Sequence, residues 1–180
     1  MKSLASLLFS LLLVTLISSA ATAQERGSDE ARVSPNATVS QTIGTTEVLV
    51  TYGRPGLRDR DITGLIHDDA NGEVWRTGAN ESTVIVLSDD VMIEGENVPA
   101  GTYSIYTIPG EEEWTIIINE KLSWGTQYDE SQDVIRVMAD AEESFPAEQL
   151  MIYFENVSDT SGELVIHWGT IKVPVTISTN

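Results

Sequence analysis

From residue 34 onward the chain is a succession of short stretches in which apolar and polar positions alternate with a period of two, each bounded by Gly, Pro, Asn or Asp. The first four are "TEVLVTY" (46–52), "STVIVLS" (82–88), "GTYSIYTI" (101–108) and "EWTIIIN" (113–119). "DVIRVM" (133–138), "EQLMIYFENV" (148–157), "GELVIHW" (162–168) and "TIKVPVTIS" (170–178) complete the set. Such alternation, rich in β-branched and aromatic residues, predicts strands. In the last stretch Ile171, Val173, Val175 and Ile177 share one face while Lys172, Pro174 and Thr176 share the other. Pro174 has no N–H to give to a ladder, which predicts an edge strand or a proline at an unpaired position. Ile116, Ile117 and Ile118 are apolar on both faces, as in a strand covered on both sides. His167, between Ile166 and Trp168, reads as a surface or rim residue. No window sustains a 3.6-residue stripe, and "AEESFPAEQ" (141–149) is the place where a helical turn is expected. Eight to nine strands with short turns predict an all-β, single-domain antiparallel β-sandwich, jelly-roll-like, over residues 34–180. One long loop, 53–81, carries no convincing strand pattern.

The residues ahead of this region read differently. Met1-Lys2 is followed by the apolar run "LASLLFSLLLVTLI" and by small residues ending in Ala21-Thr22-Ala23, the pattern of a secretory signal peptide over 1–23 cleaved before Gln24. The run is shorter than the roughly 20 apolar residues a spanning helix needs. No Cys follows it to carry a lipid. The expected product is a soluble chain in the periplasm or outside the cell, with a polar, flexible leader at 24–33. Cleavage would leave 157 residues without a single cysteine, so the hydrophobic core alone must hold the fold.

Four stretches in order, "YGRPGLRDRDI" (52–62), "VWRTGANEST" (74–83), "VPAGTYSIYTIPG" (98–110) and "WGTQYDESQDVIRV" (124–137), resemble the bacterial exported family catalogued as domain of unknown function 2911. The resemblance spans nearly all of residues 34–178. It implies an exported, all-β bacterial protein and brings no established activity with it. The family pattern carries a "VPYG"-like segment just before V-W-R-T-G-A-N, where this chain has "IHDDANGE" (66–73).

Charge narrows the function classes. The chain has 10 Lys+Arg against 28 Asp+Glu, net −18, and losing Lys2 with the signal peptide makes it −19. Such a surface repels phosphate backbones and anionic membranes, which excludes nucleic acid as a partner and argues against membrane insertion. The acids are spread along the chain, as on a solvated surface adapted to salt. Against this field Arg54, Arg58, Arg60 and Arg76, four of the nine cations remaining after cleavage, fall within 23 residues. A guanidinium fork suits carboxylate, phosphate or sulfate, and an anionic ligand would need such a local concentration of positive charge. The competing reading is that these arginines pair with Asp59, Asp61, Asp68, Asp69 and Glu73 and pin the loop.

Trp75 and Asn80 extend the candidate site: an indole stacks on a sugar ring and an amide offers both a donor and an acceptor. In the competing reading Trp75 plugs the core beneath the loop, Gly78 supplies a positive φ, and Asn80 caps a turn. Metal chemistry has thin support. His67, Asp69, Asn71 and Gly72 align with the start of a calcium loop, but its twelfth position would be Gly78 instead of a bidentate Glu. An irregular calcium site at Asp68, Asp69 and Glu73 is the residual alternative. No Cys is present and His67 and His167 are 100 residues apart, so zinc is not expected. There is no G-x-S-x-G elbow and no thiol nucleophile, and no catalytic residue or cofactor is assigned. The leading reading is a non-catalytic domain binding a small anionic or carbohydrate ligand on the 53–81 loop face. The alternatives are a hydrolase of extracellular glycan or peptide and a structural envelope or matrix protein.

Overall fold

The computed structural model describes residues 26–27, 30–62 and 72–179. The expected signal peptide and the residues His67, Asp68 and Asp69 of the calcium alternative lie outside them. Among the described residues ten strands form: β1 (Asn36–Ile43), β2 (Thr46–Gly53), β3 (Thr83–Leu87), β4 (Val91–Ile93), β5 (Glu96–Val98), β6 (Gly101–Ile108), β7 (Glu113–Asn119), β8 (Asp133–Asp140), β9 (Glu142–Glu155) and β10 (Ser161–Thr179). They make two antiparallel sheets, one of six strands in the order β1-β2-β3-β6-β7-β8 and one of four in the order β5-β4-β10-β9. The all-β sandwich expected from the alternation is the observed architecture. Among the described residues no helix is long and apolar enough to cross a membrane.

One core lies between the sheets. Val48, Val50, Ile85, Ile105, Ile116 and Ile118 of the larger sheet meet Leu150, Ile152, Leu164, Ile166, Val173, Val175 and Ile177 of the smaller one. The run Ile116-Ile117-Ile118 is buried throughout. Ile117 points away from the inter-sheet core, and its cross-strand neighbour Tyr106 is covered by Tyr128, with ring centroids 4.9 Å apart. The segment between β7 and β8 therefore roofs the outer face of the larger sheet. That roof explains an apolar run on both faces.

Three sequence expectations change in detail, and the one for Pro174 is met. The stretches 162–168 and 170–178 are one 19-residue strand, interrupted only by irregular register around Gly169. Gly169 sits at φ +60°, and a Cβ there would come within 2.5 Å of Ile62. Pro174 falls after the last β9 pair, at Lys172, and before the first β4 pair, at Ile177, so its missing N–H leaves no ladder bond unmade. Residues 142–149 are extended within β9, not helical, because pairing with β10 sets their backbone. His167 is fully buried instead of rim-exposed; its Nε2 lies 2.9 Å from the Phe145 carbonyl, and Phe145 packs edge-on against its ring.

The chain leaving β2 explains much of the "YGRPGLR" stretch, because it runs along the open edge of β9. The Tyr52 hydroxyl accepts from Ile152 N–H at 2.8 Å, Arg54 Nε donates to Leu150 O at 2.9 Å, and Leu150 N–H donates to Pro55 O at 3.0 Å. Leu57 N–H then donates to Glu148 O at 2.8 Å, and Gly56 bridges Gln149. An uncovered edge would present a row of unpaired amides to other chains. Here residues 52–58 occupy it and tie the two sheets together. Tyr52→Phe would leave the buried Ile152 amide without a partner, and the expected cost is about 1–3 kcal/mol. A lowered denaturation midpoint checks it; an unchanged midpoint would show that this seam carries no stability.

Candidate functional site

At one end of the sandwich a cavity of about 500 Å³ opens between the two sheets and the loops, with Ser34, Arg60, Glu73, Trp75, Arg76 and Trp168 among its walls. Trp75 positions it. The Trp75 amide donates to Thr107 O at 2.7 Å and Thr107 N–H donates back to Trp75 O at 2.9 Å, a one-residue bridge onto β6. The Trp75 indole stacks on Trp168 of β10, with centroids 5.7 Å apart and planes at 12°, and meets Trp114 of β7 edge-on at 6.1 Å. The indole is thus both a plug on the core and a wall of the cavity.

The backbone after Trp75 is held in uncommon geometry. Thr77 at φ +53° and Asn80 at φ +67° are both left-handed, and a β-branched residue adopts that region only when its surroundings impose it. Thr77 is fully buried, with Oγ1 donating to Thr107 Oγ1 at 3.2 Å and its carbonyl accepting from Thr83 Oγ1 at 2.7 Å. Gly78 does not supply the positive φ expected of it. It is required for close approach instead, since a Cβ there would lie 2.9 Å from Thr83 Oγ1 and 3.0 Å from Gly53 O.

Of the sequence candidates, Arg60, Trp75 and Arg76 line the cavity. Arg54, Arg58 and Asn80 are engaged with backbone beside it. The Arg54 amide donates to Pro35 O at 2.8 Å, Arg58 Nη2 to Val33 O at 2.9 Å, and Asn80 Nδ2 to Ser34 O at 3.2 Å, so all three hold the chain just before β1. Arg60 donates to Leu57 O and Gly56 O at 2.8 and 2.9 Å. Among the described residues none of the four arginines has a carboxylate within ion-pair distance.

Arg76 stands apart. Its Nε is buried with no hydrogen-bond partner, and burial pushes the guanidinium below its ordinary pKa. Its aliphatic stem lies on Gly125, where a Cβ would come within 2.9 Å of Arg76 Cβ. A buried guanidinium nitrogen with no partner among the described residues is unfavourable, and an anion in the cavity would relieve it. Sequence reasoning missed several contributors, among them Ser34, Trp168 and the Gly125-Thr126 turn. Trp168 comes to the cavity through the sheet packing, and Gly125-Thr126 through backbone bonds to the 80–82 stretch, neither of which a local pattern gives.

The neighbouring Glu81 also went unmarked. It is buried and gripped by Arg32, with Nη1–Oε2 at 2.7 Å and Nη2–Oε1 at 2.9 Å, and the Arg32 guanidinium holds its carboxyl below the usual range. Among the described residues no group of three or more His, Cys, Asp or Glu is placed to hold a metal ion.

Fold and cavity together define an all-β sandwich with a concave, tryptophan-walled, arginine-bearing pocket at its loop end. The chain belongs to the family described as Protein of unknown function (DUF2911), which it matches over residues 34–177. No curated protein and no solved structure matches it.

Because Arg76 has no carboxylate to strand among the described residues, Arg76→Met, which keeps the stem over Gly125, should melt within about 1 kcal/mol of the parent or above it. A thermal or denaturant melt checks this. A large loss of stability would mean that the guanidinium is a structural partner.

Proposed function

We propose that the protein is an exported binding domain for a small sugar acid, held in the Trp75–Arg76–Trp168 cavity with its carboxylate on Arg76. The observation that carries the reading is the buried, unpartnered Nε of Arg76 at the wall of a ligand-sized cavity, in a chain of net charge −18. A guanidinium edge offers parallel donors to a planar carboxylate, and the adjoining indoles offer an apolar surface to a sugar ring. Ligand sites of this size pair apolar walls with a few convergent polar groups. The secretory pattern of residues 1–23 supports export, with a mature chain starting at Gln24, where such acids would be met outside the cytoplasm.

Glu73 is the one carboxylate among the described residues that line the cavity. Among the described residues the pair of flanking acids that most glycoside hydrolases use is not assembled there, and the reading proposed is binding.

Titration with galacturonate and glucuronate, followed by calorimetry and tryptophan fluorescence, tests the reading. Both acids should bind with salt-weakened affinity and perturb the fluorescence, neutral galactose should bind far more weakly, and Arg76→Met should abolish uronate binding. Equal binding of the neutral sugar, or uronate binding that survives Arg76→Met, would remove this site.

A further inference from the structure

Glu81 belongs to the stretch that follows the cavity-lining Gly78 and Ala79, and two separate structures hang from it. Its backbone bridges Trp124, while the adjacent Ser82 amide donates to Ser123 O at 3.1 Å and the Gly125 amide donates to Asn80 O at 3.2 Å. These bonds set Gly125 and Thr126 as one wall of the cavity and seat Gly125 under the stem of Arg76. The Glu81 side chain faces the segment before β1. Arg32 grips it with both branches of its fork, and Arg26 Nη1 lies 3.8 Å from Oε2, with side chains of Arg26 and Glu81 only 5% and 7% exposed. Arg26 Nη2 also donates to Thr51 O at 3.0 Å and to Ser82 O, fastening the segment across β2 and the start of β3.

The same segment then reaches the cavity. Val33, Ser34 and Pro35 are held through their carbonyls by Arg58, Asn80 and Arg54, and Ser34 is a lining residue. Five side chains, from Arg26, Arg32, Arg58, Asn80 and Glu81, plus the amide of Arg54, are thus committed to placing a stretch with no strand of its own. A simple tether to β1 would not call for a buried arginine.

Charge makes the arrangement depend on one group. Two guanidiniums converge on a single carboxylate, and Arg26 keeps Nε and Nη1 buried without hydrogen-bond partners. Without the charge of Glu81, Arg26 would have to stay buried and unpaired, or leave.

We propose that Glu81 is the positioning residue of the cavity, setting one wall through Trp124–Gly125 and a second through an arm, residues 30–35, that Arg32 and, ahead of it, Arg26 lock down; the ligand role of these walls rests on the sugar-acid reading. The arm is then part of the binding site and not a loose leader.

Glu81→Gln in the full mature chain tests this by amide hydrogen exchange without ligand and by galacturonate titration. The expected result is faster exchange at 30–35 and at Gly125, unchanged exchange in β6, β7 and β10, and galacturonate affinity weakened about tenfold or more, as when one partner of a buried charge pair is lost. Glu81→Asp, which keeps the charge, should restore part of both. Arg32→Gln is the second variant, in case Glu81→Gln does not fold, and should loosen the arm in the same way. Unchanged exchange at both segments overturns the proposal. So does loosened exchange with galacturonate affinity equal to the parent's, while the sugar-acid reading survives. If the parent itself does not bind galacturonate but Glu81→Gln loosens both segments, the sugar-acid reading fails and the positioning role of Glu81 stands.

Discussion

The stack of Trp75 on Trp168 is the contact on which both this end of the fold and the cavity depend. Trp75 is bonded by its backbone to β6 in the larger sheet, and its ring lies flat on an indole from β10 in the smaller one. A stacked aromatic pair contributes about 0.5–1.5 kcal/mol beyond the area it buries. The pair does more than add stability, because it fixes the separation of the sheets where their strands end. A smaller residue at position 75 would let the core extend or collapse into that space. With two indoles there, the end stays open as a pocket and Arg76, the next residue, is delivered to its wall.

Delivering that residue requires strain and close approach around it. Thr77 and Asn80 are driven into the left-handed region, and Gly53, Gly78 and Ala79 pass too close for side chains on the glycines. Such costs persist where the surroundings over-determine the backbone, and they collect at functional sites. Here the surroundings are visible: Thr83, Thr107 and the Ser34 carbonyl each accept or supply a bond to Thr77 or Asn80. The arginines of residues 54–60 act at the same place in another way. Arg54 bonds β9 at Leu150 O, Arg58 holds Val33 O and Arg60 holds Leu57 O and Gly56 O, so their concentration in an acidic chain serves the frame of the pocket.

The sandwich was legible from period-two alternation because each strand presents one face to a single core, and most predicted strands appear within a few residues of their expected bounds. β1 escaped notice because "NATVSQTI" is largely polar and half exposed. β4 and β5 escaped because three residues cannot show a period; their hairpin rests instead on Glu94 and Gly95, both at positive φ. At the site, Trp75 and Arg76 stood out by residue type and neighbourhood. Trp168 did not, since its alternation marks it only as a strand residue, and the contacts of residues 30–35 did not either, since Arg32 meets Glu81, some fifty positions away. Long-range pairing of that kind leaves no local pattern.

The most direct test of the account is a crystal structure of the mature protein grown with galacturonate. The account predicts the carboxylate within hydrogen-bond distance of the Arg76 guanidinium, the sugar ring against the face of the Trp75–Trp168 wall, and Ser34 and Gly125 in contact with the ligand. A carboxylate from the chain itself seated on Arg76, with the cavity closed to the sugar, would contradict it.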